Sequence, residues 1–227
     1  MGAEGSLLQR LLADLPAKVE LLADIAIVPS GAMKDSEWNA LPALGSAAAD
    51  AAGGGGGEGA GAGASLPERG NDTIRGGAAG AWAVVARAIG VDRILRKAEV
   101  DSGPTRSSRA ELVADLNHVG PWVEVREHGT RYCLNVEKVM FSRGNVNERA
   151  RAGGFPALGE TVVDMFAGIG YFTLPLALRA KPARIVACDW NPDAVECLRK
   201  NVELNKVGGI VEVREGDNRE QLKDMVG

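Results

Sequence analysis

From residue 161 onward the chain alternates short apolar runs with helix-like stretches, and an acid closes or closely follows each run. Thr161-Val162-Val163-Asp164-Met165 is followed by Gly168 and Gly170 and then by a helical stretch over about 171–180. Arg184-Ile185-Val186-Ala187-Cys188-Asp189 leads into Asn191-Pro192-Asp193. There Asn191 is placed to cap a helix and Pro192 to fill its first position, and that helix runs to about Asn205. Ile210-Val211-Glu212-Val213-Arg214 precedes Gly216-Asp217-Asn218. Short apolar strands separated by helices predict an α/β fold with a doubly wound, Rossmann-like parallel sheet. Such a sheet needs roughly five strands to cover both faces. Three are legible before Gly227, so this part is expected to be truncated, the N-terminal portion of a larger sheet.

The chain ahead of it reads differently. Residues 7–44 offer one amphipathic helix and one short strand, Ile25-Ala26-Ile27-Val28, and residues 81–90 offer another helix. Residues 45–65 are almost entirely Gly and Ala, too little apolar surface to offset the entropy of ordering, and predict a disordered insertion. Trp122-Val123-Glu124-Val125-Arg126-Glu127 alternates apolar and charged residues, His128-Gly129-Thr130 supplies a turn, and Arg131-Tyr132-Cys133-Leu134-Asn135-Val136 completes a hairpin. The expected organisation is a smaller α+β domain over 1–152, followed by the doubly wound domain over 153–227.

Composition narrows the function classes. Cys133, Cys188 and Cys197 form no CxxC pair and there are two histidines, so no metal site is expected and the thiols read as those of a cytoplasmic protein. No apolar run of about 18 residues suggests a membrane span, and the first 22 residues do not read as a signal peptide. The net charge of −4 is unevenly spread. Residues 1–64 carry 3 basic and 8 acidic side chains, 65–153 carry 14 and 11, and 154–227 carry 9 and 11. Any contact with nucleic-acid phosphates is therefore expected from the middle third, Arg106 and Arg109 included.

Ligands of doubly wound sheets bind outside the carboxyl ends of the strands. Asp164, Asp189 and Asp217 all fall on that edge. After the first strand, Ala167-Gly168-Ile169-Gly170 lacks bulky side chains, so a ligand can approach the backbone. The dinucleotide fingerprint is not met, because Thr173 stands where its third glycine would be, and a carboxylate at Asp164 would repel a pyrophosphate. A nucleoside cofactor without phosphates, its ribose gripped by Asp189, fits better.

Asp164-Met165-Phe166-Ala167-Gly168-Ile169-Gly170-Tyr171-Phe172-Thr173-Leu174-Pro175 resembles the cofactor loop of the superfamily of tRNA guanine-N1 methyltransferases and wybutosine-synthesis transferases. Met140-Phe141-Ser142-Arg143-Gly144-Asn145-Val146-Asn147-Glu148-Arg149-Ala150-Arg151 resembles the segment ahead of the methyltransferase-like domain in the wybutosine branch. Asp189-Trp190-Asn191-Pro192 and Gly216-Asp217-Asn218-Arg219 are similar to its motifs as well. The resemblance implies a methyltransferase-type sheet and an enzyme. It would transfer the 3-amino-3-carboxypropyl group of S-adenosylmethionine to the tricyclic base beside the anticodon of phenylalanine tRNA, releasing methylthioadenosine. Guanine-N1 methylation and a non-catalytic tRNA-binding fragment are the competing readings.

By the same resemblance Ser142 and Arg149 lie near the cofactor's amino-acid tail, Asp189 takes the ribose, and Asp217 and Asn218 face the adenine. Asp164, Ala167, Gly168 and Gly170 build the cofactor turn. A guanidinium at Arg149 would pair bidentately with a carboxylate. Alternatives stand beside these roles: Ser142 as a turn cap, Arg149 and Arg151 as solvated helix charges, Phe166 as core packing rather than a wall of the adenine pocket, and Trp190 as a cover for the sheet edge. No side chain recommends itself as a general base, and the catalytic residues are unassigned.

Overall fold

The computed structural model describes residues 13–33, 77–98 and 108–225. These described residues form three sheets. The first contains β1 (Glu20–Leu22), β2 (Ile25–Val28), β3 (Arg93–Arg96) and β4 (Glu111–Asp115), in that spatial order. β2 and β3 run parallel while the outer pairs are antiparallel, and α1 (Gly77–Ile89) crosses between β2 and β3. Parallel neighbours need such a crossover. α1 contributes Ala81, Trp82 and Ala86 to a core with Ala26, Val28 and Ile94. The Gly/Ala-rich stretch 45–65 lies outside the described residues; the strands before and after it pair, so it interrupts one sheet.

Ile25–Val28 and the helix near 81–90 form as expected. The amphipathic helix sought in 7–44 falls largely outside the described residues, and Glu20–Leu22 is an additional strand. Neither β3 nor β4 is evident from hydropathy. β3 begins with Arg93, which is only 3% exposed, because Asp24 and the carbonyls of Gly120 and Trp122 take its guanidinium. A buried charge must be paired in this way.

The hairpin forms in register, β5 (Trp122–Glu127) against β6 (Thr130–Asn135), turning at His128 and Gly129. The third sheet is parallel, of β7 (Thr161–Asp164), β8 (Arg184–Asp189) and β9 (Val211–Glu215), and Tyr132 and Leu134 of the hairpin share one core with Leu174, Ile185 and Leu198. β8 is central, and Ile185–Cys188 are wholly buried, as a parallel strand covered on both faces requires. α2 (Val146–Ala152) precedes β7, and a helix of Thr173–Pro175 continued by a π-helical turn over Leu176–Ala180, here α3, follows it. α4 (Pro192–Leu204) starts where predicted: the Asn191 side chain accepts the amides of Asp193 and Ala194. A short α5 (Asn218–Gln221) follows β9. Among the described residues no helix is long and apolar enough to cross a membrane, no group of His, Cys, Asp or Glu is arranged to hold a metal, and the three cysteines are separate thiols.

Candidate cofactor site

Asp164 ends β7, and the chain must then turn sharply to start α3. Thr173 Oγ donates to Asp164 Oδ2 at 2.7 Å, and the Phe166 amide reaches Oδ1 at 3.3 Å. Burial pushes the Asp164 carboxyl above its ordinary range; the Thr173 hydrogen bond opposes this and the nearby Asp189 charge adds to it. Gly168 and Gly170 both have positive φ, +56° and +98°. A Cβ on Gly170 would lie 2.9 Å from Leu198 and 3.0 Å from Leu174, so only glycine fits there.

Asp189 ends β8 and organises the same turn from the other side. Its Oδ2 accepts the Gly168 amide at 2.6 Å and its Oδ1 the Asn191 amide at 2.9 Å. A carboxylate has about four acceptor directions, so capacity for two hydroxyls remains. Asp217 caps α5 and pairs with Arg219, which holds its carboxyl below the usual range. Asn218 donates to the Met165 carbonyl at 2.9 Å, joining the third strand's loop to the first. Phe166 and Trp190 flank this edge at 77% and 57% exposure. Side-chain-free backbone, exposed aromatic faces and carboxylates at the strand ends suit a nucleoside without phosphates.

The structure brings Ser142 to the same turn. Tyr171 Oη accepts the Ser142 amide at 3.0 Å and donates to the Met140 carbonyl at 2.8 Å. Arg149 is used otherwise than as a clamp on a ligand. It is 2% exposed, its Nε and one terminal nitrogen bind Glu127, and the other donates to the Ser142 carbonyl at 2.9 Å. The solvated-charge alternative holds for Arg151, which is exposed and paired with Glu148. Burying a guanidinium among Tyr171, Phe141 and Glu127 leaves it no carboxylate to seek outside the protein.

Three contributors escaped the sequence reading. Thr173 and Glu127 carry no local signal, since a threonine in a first turn and a glutamate at a hairpin end are ordinary. Asn201 does: it sits three residues after the core residue Leu198, on the apolar stripe of α4, and is fully buried. Its side chain donates to the Ile169 carbonyl at 2.9 Å and accepts the Cys133 amide, tying the turn to the hairpin.

Residues 123–227 match the family described as the TRM5/TYW2 methyltransferase domain. The chain is 36% identical over 211 residues to a tRNA wybutosine-synthesizing protein 2/3/4 of Arabidopsis thaliana, a match covering 93% of this chain and 17% of that protein. It is 44% identical over 138 residues to a tRNA wybutosine-synthesizing protein 2 homolog of Bos taurus, covering 61% and 31%. It thus spans less than a third of either relative. Among solved structures it is similar to P. horikoshii TYW2 in complex with MeSAdo, with TM-score 0.59 and 26% identity over 93% of this chain and 60% of that one. It is also similar to Trm5b from Pyrococcus abyssi, with TM-score 0.56 and 28% identity, covering 93% and 51%.

Proposed function

Since residues 123–227 match the TRM5/TYW2 methyltransferase domain family, we propose that this chain is part of an S-adenosylmethionine-dependent transferase of that family. The enzyme moves the 3-amino-3-carboxypropyl group to the tricyclic wyosine-type base beside the anticodon of phenylalanine tRNA. The observation that carries the choice is the contact between Ser142 and Tyr171. It joins Phe141-Ser142-Arg143-Gly144-Asn145, from the segment that resembles the wybutosine branch, to Gly170-Tyr171-Phe172 of the cofactor loop, across 29 residues. The names of the curated relatives and the MeSAdo held by the P. horikoshii protein support the same reading.

When bound, S-adenosylmethionine supplies a sulfonium that leaves readily from any of its carbons. The protein's work is then orientation. Asp189 holds the ribose hydroxyls while fixing the Gly168 turn. Phe166 and Trp190 offer aromatic faces to the adenine, and Asp217 with Asn218 border it. Ser142 presents its exposed hydroxyl to the amino-acid tail, and Arg149 keeps the Ser142 backbone in place. The net-basic residues 65–153 supply the tRNA-contacting surface, and the enzyme works in the cytoplasm.

The test uses S-adenosylmethionine labelled separately in the methyl and carboxyl groups, with the intact protein and phenylalanine tRNA bearing the tricyclic precursor. Carboxyl label should enter this tRNA and no tRNA of other specificity. Methyl label in the tRNA, with S-adenosylhomocysteine released, would establish methyl transfer instead.

A further inference from the structure

Both backbone polar groups of Ser142 are held by side chains from other elements. Its amide donates to Tyr171 Oη and its carbonyl accepts from Arg149. In a loop such groups ordinarily face water. Here two side chains that are themselves held take them, which leaves the Ser142 side chain as the exposed part of a rigid backbone. Arg149 is held by Glu127, and its guanidinium lies 5.1 Å from the Tyr171 ring centroid. The Tyr171 ring also packs against Phe141 and Tyr132, with centroids 5.8 and 5.9 Å away. Its main chain is fixed as well. Pro175 has no N–H, so the Tyr171 carbonyl loses its helical donor and meets the Tyr132 hydroxyl at 3.4 Å instead. Gly170 just before it admits no side chain. Burial pushes the Tyr171 phenol up to about 12, so at neutral pH it keeps the proton it donates to Met140.

We propose that Tyr171 is a positioning residue that locks the Met140–Ser142 segment against the Gly168–Gly170 turn, and that this lock decides which sulfonium-bound carbon meets the acceptor. The inference rests on the transferase reading above. In the locked arrangement an electron pair of the acceptor base forms a bond to Cγ of the methionine moiety. The Cγ–S bond breaks with its pair going to sulfur, methylthioadenosine leaves as a neutral thioether, and the proton displaced from the acceptor passes to water. With the segment unlocked the tail moves, and the same electron pair reaches the methyl carbon. The methyl–S bond then breaks and S-adenosylhomocysteine leaves.

Tyr171→Phe in the intact protein keeps the ring packing and removes only the hydroxyl. Calorimetry compares S-adenosylmethionine with methylthioadenosine, which shares its nucleoside but lacks the amino-acid tail. The variant should bind S-adenosylmethionine about fivefold more weakly, the scale of one lost hydrogen bond, and methylthioadenosine as the parent does. With the tRNA substrate the share of S-adenosylhomocysteine among the products should rise. Equal weakening of both ligands marks a merely structural role and overturns the proposal. So does an unchanged affinity ratio with an unchanged product ratio. A parent protein that binds neither ligand fails the transferase reading itself, a result distinct from either.

Discussion

The central strand of the parallel sheet, β8, and one inner strand of the four-stranded sheet, β3, achieve burial by different means. β8 does so with an unbroken apolar run, Ile185 to Cys188, and leaves its acid, Asp189, for the edge. β3 buries Ile94 and Leu95 but begins with Arg93, whose guanidinium joins the first sheet to the start of the hairpin through Asp24 and two carbonyls. The parallel region thus keeps charge at its binding edge, while the N-terminal region uses one buried charge as a joint. A second buried arginine, Arg149, serves the parallel region, and its partner differs. Glu127 is 14% exposed and Asp24 51%. A carboxylate already in water loses little when its partner goes, whereas a buried one is stranded.

That contrast sets the largest expected effect. Arg149→Ala should destabilise the intact protein by about 3–5 kcal/mol, because Glu127, only 14% exposed, is left without its cation. Arg93→Ala should cost about 2–3 kcal/mol, chiefly for the Gly120 and Trp122 carbonyls, since Asp24 can hydrate. Urea unfolding measures both, and an equal or larger cost at Arg93 would show that partner exposure does not set the difference.

Glycines test the contrast next. Gly170→Ala introduces a Cβ against Leu198 and Leu174 at φ +98°, and about 2–4 kcal/mol of stability should be lost. Gly31→Ala, in the N-terminal region with open space around it, should stay within about 0.5 kcal/mol. Comparable denaturation midpoints for the two variants would mean that the turn relaxes and does not need its glycine.

The smallest effect concerns the edge itself. Asp189→Ala should weaken S-adenosylmethionine binding by about 1–3 kcal/mol, more than Asp217→Ala, because Arg219 already occupies the Asp217 carboxylate. Calorimetry decides, and an unchanged dissociation constant for Asp189→Ala would remove that residue from the site.

Several features could be read before any fold was known, and they share a cause. The hairpin register, the Asn191 cap, and the strands ending in Asp164 and Asp189 depend on residues within a few positions of one another. Alternation and capping are local physics, written in local sequence. The resemblance to the wybutosine branch likewise rested on contiguous motifs. Asn201 was readable in principle, as a polar residue on an apolar helical stripe.

Tertiary structure alone decided the rest. β2 and β3 pair across an intervening Gly/Ala-rich stretch that carries no pairing information of its own. Arg93 and Arg149 look like surface charges in sequence; they are buried because carboxylates distant along the chain, Asp24 and Glu127, arrive beside them. The Tyr171 hydroxyl reaches Ser142 only because Gly170 lets the turn close on Leu198 and because Pro175 frees the Tyr171 carbonyl for Tyr132. Each of these contacts offsets its loop-closure entropy with the apolar core that surrounds it. Whether a given polar side chain faces water or a partner is settled by that packing and by nothing nearer in the sequence.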